Sequence, residues 1–128
     1  MAVNIPDAVK EQLLDYIADT GDTLYICTDE PANYAGIAAV EVGSVALTEG
    51  DGNGDYTIGD GDTSGRKLTL AQQTVTPDDT DSVTHIVIAD DVGEELLAVN
   101  TCSSYAVTNG VDVVIASYDI VEVRDAST

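Results

Sequence analysis

Apolar residues recur in two rhythms along this chain. In residues 5–19, IPDAVKEQLLDYIAD, the residues Ile5, Val9, Leu13, Tyr16 and Ile17 fall three or four positions apart. That spacing predicts an amphipathic helix with its other face charged. Pro6 suits the first turn and Gly21 suits the stop. From Asp22 onward the rhythm changes to short runs rich in β-branched residues. Residues 23–27, 40–48, 66–76, 83–89, 96–102, 111–116 and 118–123 read as strands. The small-residue stretch 31–39 reads as a loop. Pro77-Asp78-Asp79, Asp90-Asp91-Val92-Gly93 and Asn109-Gly110 carry turn chemistry between strands.

One early helix followed only by strands predicts a mainly β fold, a single-domain β-sandwich or barrel. The division expected is a helix over 1–21, a β domain over 22–125 and a short tail at 126–128. A chain of 128 residues, 44% hydrophobic, is long enough for one domain with its own core. No stretch has the roughly 18 successive apolar residues of a membrane span. The N-terminus lacks the basic region and apolar run of a signal peptide, so none is expected.

Charge narrows the choice of partners. The chain has 24 acids against four bases, Lys10, Arg66, Lys67 and Arg124, for a net charge of −20. Such a surface repels phosphate, so no nucleic-acid partner and no anionic membrane is expected. It suits a salty medium, or a basic or cation-bridged partner.

The segment TEGDGNGDYTIGDGD, residues 48–62, poses the one metal question. Counted from Asp51, an EF-hand-type loop would put Asn53, Asp55 and Asp62 at ligand positions 3, 5 and 12. Tyr56 stands where the sharp turn wants glycine, and Gly59 offers no ligand at the ninth position. The flanks read as strands rather than helices. These departures favour a glycine-rich β-connection, in which Gly52, Gly54, Gly59 and Gly61 supply turns with positive φ. No cofactor is expected, with Ca²⁺ at Asp51, Asn53, Asp55 and Asp62 as the lesser reading.

Catalytic constellations are poorly supported. His85 is the sole histidine and is expected to share a strand face with Val83 and Val87. Ser103 and Ser104 lack a nucleophile-elbow setting. Cys27 and Cys102 form no CxxC pair, and could be two free thiols or one disulfide. Acid pairs are inevitable in so acidic a chain and carry no information about glycoside hydrolysis. A sugar-binding module would stack sugars on exposed aromatics. Here there is no Trp or Phe, and several of the six tyrosines occupy core or strand positions. An enzyme is therefore not expected.

Four segments in order carry a resemblance: GDGDTSGRKLTL (59–70), THIVIAD (84–90), LLAVNTC (96–102) and IASYDI (115–120), the last running into VEVRD. Together they resemble small structural proteins of tailed bacteriophages, a group that includes capsid decoration, or cement, proteins. The resemblance covers Gly59 to Asp125 best and residues 22–48 more loosely. It implies a virion protein on the capsid exterior, made in the host cytoplasm, with the major capsid protein as partner. It also implies a homo-oligomer, often a trimer, and brings no catalytic motif. Under this reading the helix residues Ile5, Val9 and Leu13 are the expected partner-binding face, against ordinary packing on the chain's own sheet. The alternatives are a tail or head-fibre component, or a calcium-stabilised carbohydrate-binding module.

Overall fold

The computed structural model describes residues 6–124. The fold is mainly β, with a helix near the N-terminus and a curled antiparallel sheet. Helix α1 spans Asp7–Thr20. Pro6 precedes its first turn and lacks the N–H that a helix start would leave unsatisfied. At the other end, Gly21 N–H donates to the Ile17 carbonyl and Gly50 N–H to the Ala18 carbonyl, satisfying two carbonyls that the helix leaves open.

Among the described residues nine strands follow: β1 Thr23–Cys27, β2 Glu41–Ala46, β3 Tyr56–Asp60, β4 Arg66–Leu70, β5 Gln73–Pro77, β6 Asp81–Asp90, β7 Glu95–Val107, β8 Val113–Ile115 and β9 Tyr118–Val123. Six form one sheet in the order β7-β6-β1-β2-β5-β8, and three form a second in the order β3-β4-β9. Every pairing of these strands is antiparallel.

The main core joins α1, the inner face of the large sheet and the small sheet. Leu14, Ile17 and Ala18 of α1 meet Leu24, Ile26 and Ile88 of the large sheet and Tyr56, Leu68, Leu70 and Ile120 of the small one. A smaller cluster lies on the opposite face of the large sheet. There Cys27, Val87 and Ala89 pack under Ile37, flanked by Tyr25, Tyr34, Leu96 and Val99.

Several expectations need correction. Residues 31–39 are not all loop: a 3-10 turn at Tyr34–Gly36 leads into a one-turn helix α2 at Ile37–Val40. Asn33 starts it by accepting the Gly36 N–H on its side chain, the usual service of an Asn cap. Residues 66–76 are two strands in different sheets, because the chain leaves the small sheet after Leu70 and enters the large one at Gln73. The 49–62 segment contains a true strand, β3, paired in register with β4 from Tyr56↔Leu70 to Asp60↔Arg66. His85 and Val87 do not share a face with Val83. The β6–β7 register shifts between Val83 and His85, and Val83 turns into the main core while Val87 joins the outer cluster.

The helix face is also displaced from expectation. Ile17 is buried as expected, but its companions on the core are Lys10, Leu14 and Ala18. Val9, Leu13 and Tyr16 stand 53%, 57% and 45% exposed. Ile5 lies outside the described residues. Two apolar stripes run side by side on α1, one residue apart and so about 100° apart in azimuth, and the sheet takes the second.

Candidate functional site

The acidic loop is built around its own backbone. Asp51 Oδ1 accepts the Ile58 N–H at 2.9 Å. Asp55 Oδ2 accepts the Thr48 N–H at 2.6 Å, while Oδ1 accepts Gln73 Nε2 at 2.9 Å. Asn53 donates its side-chain amide to the Glu49 carbonyl. Gly50, Gly52 and Gly54 supply positive φ; Gly59 and Gly61 do not, since Gly59 is paired in β3. Gly65, in the β3–β4 turn, is also left-handed. Asp62 lies past the far end of β3, on the order of 15–20 Å along an extended strand from Asp55. There it binds Lys67 Nζ at 2.7 Å. The four residues that the EF-hand spacing grouped are therefore not brought together. Among the described residues, no group of three or more His, Cys, Asp or Glu converges as a metal site would require.

Charge is segregated. Lys10 pairs with Asp7, Arg66 with Glu11 and Asp60, Lys67 with Asp62 and Asp119, and Arg124 with Glu122. All these pairs lie on α1 and the small sheet with its flanking turns. The large sheet and its connections hold Asp22, Asp29, Glu41, Asp78, Asp81, Asp90, Asp91, Glu95 and Asp112 without a lysine or arginine. Glu41 shows the consequence: burial first, and then the charge of Asp78, push its carboxyl above the ordinary range. Both residues line a groove of about 330 Å³, together with Tyr25, Tyr34 and Ile37.

One carboxylate on this side is fully engaged. Asp91 Oδ1 accepts the hydroxyls of Tyr25 at 2.6 Å and Tyr34 at 2.9 Å, and Oδ2 accepts that of Thr23 at 2.8 Å. The Asp91 N–H in turn donates to Asp22 Oδ1. This node ties β1, the 3-10 turn and the β6–β7 turn together, so its geometry is that of a staple.

The nucleophile candidates are placed unfavourably for chemistry. Cys27 and Cys102 are free thiols on opposite faces of the large sheet, so they cannot meet. Burial, with a contribution from Glu41, pushes the Cys27 thiol up to about 12, and burial raises Cys102. His85 Nδ1 bonds Thr84 Oγ1, the hydroxyl of its own chain neighbour.

Val9, Leu13 and Tyr16 form an exposed apolar stripe on α1, and Tyr16 OH reaches Glu95 Oε1 at 2.5 Å. Tyr105 of β7, Val114 of β8 and Val111 just before β8 are also exposed. The helix stripe was legible as spacing in the sequence. The tyrosine groove was not, because its walls come from four separate segments.

No protein-family model, no curated protein and no solved structure matches this chain.

Proposed function

We propose that this chain is a non-enzymatic structural protein of a tailed-phage virion, a capsid decoration protein that binds the outer surface of the major capsid protein lattice. The observation that carries the reading is the exposed stripe Val9, Leu13 and Tyr16 on a helix whose other apolar face is already satisfied by its own core. A second apolar stripe beyond what the fold consumes is what helix-in-groove docking requires. The acid-only side of the large sheet supports a basic or cation-bridged partner rather than nucleic acid. In the same reading, the two sheets facing one core make a single-domain β-sandwich.

Mechanism here is binding: apolar burial at the helix stripe supplies affinity, and the acidic surface supplies steering. The direct test is quantitative mass spectrometry of gradient-purified virions from a phage encoding the chain. A copy number comparable to the coat protein supports decoration. A few copies per particle would move the protein to the tail or fibres, and absence from the particle would sink the structural reading.

A further inference from the structure

We propose that the free edge of β7 is a self-pairing edge, which joins a second copy of this chain through an antiparallel β7–β7 contact about a twofold axis. The inference does not depend on the virion reading.

β7 is the longest strand, 13 residues, and it ends the large sheet, paired with β6 on one side alone among the described strands. Its outer edge therefore presents a row of main-chain N–H and C=O groups. Soluble proteins blunt such edges with charge, proline or shortness. The opposite edge, β8, is blunted by shortness: it has 3 residues and follows Asp112. β7 has length and, beyond Glu95 at its first position, no charge. From Leu96 to Val111 the sequence carries neither acid nor base, in a chain with 24 acids. The stretch of β6 beside it, Val83 to Ala89, is also free of acids. A charge-free patch two strands wide thus interrupts an otherwise acidic surface.

Charge selects the occupant. A basic partner would be drawn to the acids, which lie elsewhere. A molecule that carries −20 itself can approach closely only where acids are missing. Thr101 lies six residues from Glu95, about 20 Å along the strand at ~3.4 Å per residue. That exceeds the Debye length of ~8 Å at physiological salt, so a contact centred there is screened from the flanking acids. Ala98 to Thr101 pair regularly with Ile88 to His85, so on one side of an axis at Thr101 the strand is unbulged. Beyond the bulge, Tyr105 of β7 is exposed, adding contact area at the same edge. Isologous pairing uses the longest strand twice, whereas β7 against β8 of another copy would use three residues.

Analytical ultracentrifugation of the full chain, over a range of protein and NaCl concentrations, tests this. The expected result is a monomer–dimer equilibrium that tightens as salt screens the repulsion. Thr101→Asp and Thr101→Lys are each expected to weaken the dimer at least tenfold, since either places like charges face to face across the axis. Mixing the two variants should restore association as a heterodimer. Leu13→Asp, on the helix stripe, should leave the dimer unchanged. In the wild-type chain, deuterium exchange at β7 amides should slow as protein concentration rises, a readout that needs no variant to fold. A wild-type monomer under all conditions would overturn the proposal. So would a trimer, Thr101 variants that associate normally, or a dimer abolished by Leu13→Asp.

Discussion

The Tyr56 hydroxyl donates to the Gly21 carbonyl at 2.7 Å, deep in the core, and so fastens the acidic loop to the end of α1. Tyr56 has no exposed surface, and it is the residue that stands where a calcium loop would need its glycine. Gly21 is equally constrained. A Cβ there would collide with the Tyr56 hydroxyl, and would lie 2.8 Å from the Ile17 carbonyl oxygen and 2.9 Å from an Ile88 methyl. Tyr56→Phe is expected to cost about 1–2 kcal/mol, because the ring is kept while a buried acceptor loses its donor. Gly21→Ala is expected to cost about 1–3 kcal/mol by overpacking. The two sites touch, so urea unfolding of the double variant should show non-additivity, with Tyr56→Phe relieving part of the Gly21→Ala clash.

The two leucines at the middle of α1 should separate sharply. Leu14 is fully buried, while its neighbour Leu13 is 57% exposed. Leu14→Ala should destabilise by about 2–5 kcal/mol, and Leu13→Ala should stay within about 0.5 kcal/mol. Equal losses at the two positions in denaturant melts would mean that the helix is rotated about its axis from the arrangement described. On capsids the order should invert: Leu13→Asp should abolish binding by a chain that remains folded, if α1 is the anchor.

Asp55 should behave as a structural residue. Its two oxygens hold Thr48 N–H and the side chain of buried Gln73. Asp55→Ala should cost about 1–3 kcal/mol by leaving those donors unpaired. Calcium should raise the melting temperature no more than magnesium does at equal ionic strength, through general screening of acids. A calorimetric titration giving one tight calcium site that Asp51→Ala removes would overturn the loop's reading as a self-satisfied turn.

The fold's outline was legible where one signal dominated. Strands β1 and β9 and the turns at Asp90-Asp91 and Asn109-Gly110 stand where β-branched runs and turn residues put them. Strand β3 was hidden because YTIGD sits among glycines and aspartates, and only pairing with RKLTL makes it a strand. Helix α2 was hidden because IAAV is too short to show a period. The helix face was misplaced for a different reason. Val9-Leu13-Tyr16 and Leu14-Ile17-Ala18 are both apolar, and sequence spacing cannot say which one the sheet takes. Lys10 misled as well: a lysine on the core face reads as polar, yet its side chain is buried beside Asp7. The tyrosine–Asp91 node and the segregation of charge depend on which strands become neighbours, which no local pattern reveals.

Acid titration should reveal two opposing groups of carboxylates. Burial opposes the ionisation of Asp91, but hydroxyl bonds from Tyr25, Thr23 and Tyr34 outweigh it and hold the carboxyl below its ordinary 3.8. Lys67 lowers Asp62, and the Asp62 N–H followed by Arg124 lowers Glu122. A depressed folded-state pKa gives stability that is complete above the unfolded value and lost as pH falls through the folded one. Asp15 and Glu41 are shifted the other way. Burial and then Asp19, Asp51 and Glu11 raise Asp15, while burial and then Asp78 raise Glu41. For these two the folded state binds its proton first as the medium is acidified, so stability increases as pH drops from 7 toward their ordinary values of 3.8 and 4.5. Relief of the −20 net charge acts in the same direction. Urea midpoints across pH should therefore rise on moderate acidification, peak just above the ordinary carboxylate range, and fall below it. Glu41→Gln should raise stability at pH 7 and flatten the rising limb. Asp91→Asn should lower stability at pH 7 and flatten the falling limb. A wild-type optimum at or above neutrality would contradict this balance, because it would mean that the carboxylates held by partners outweigh those in conflict throughout the range.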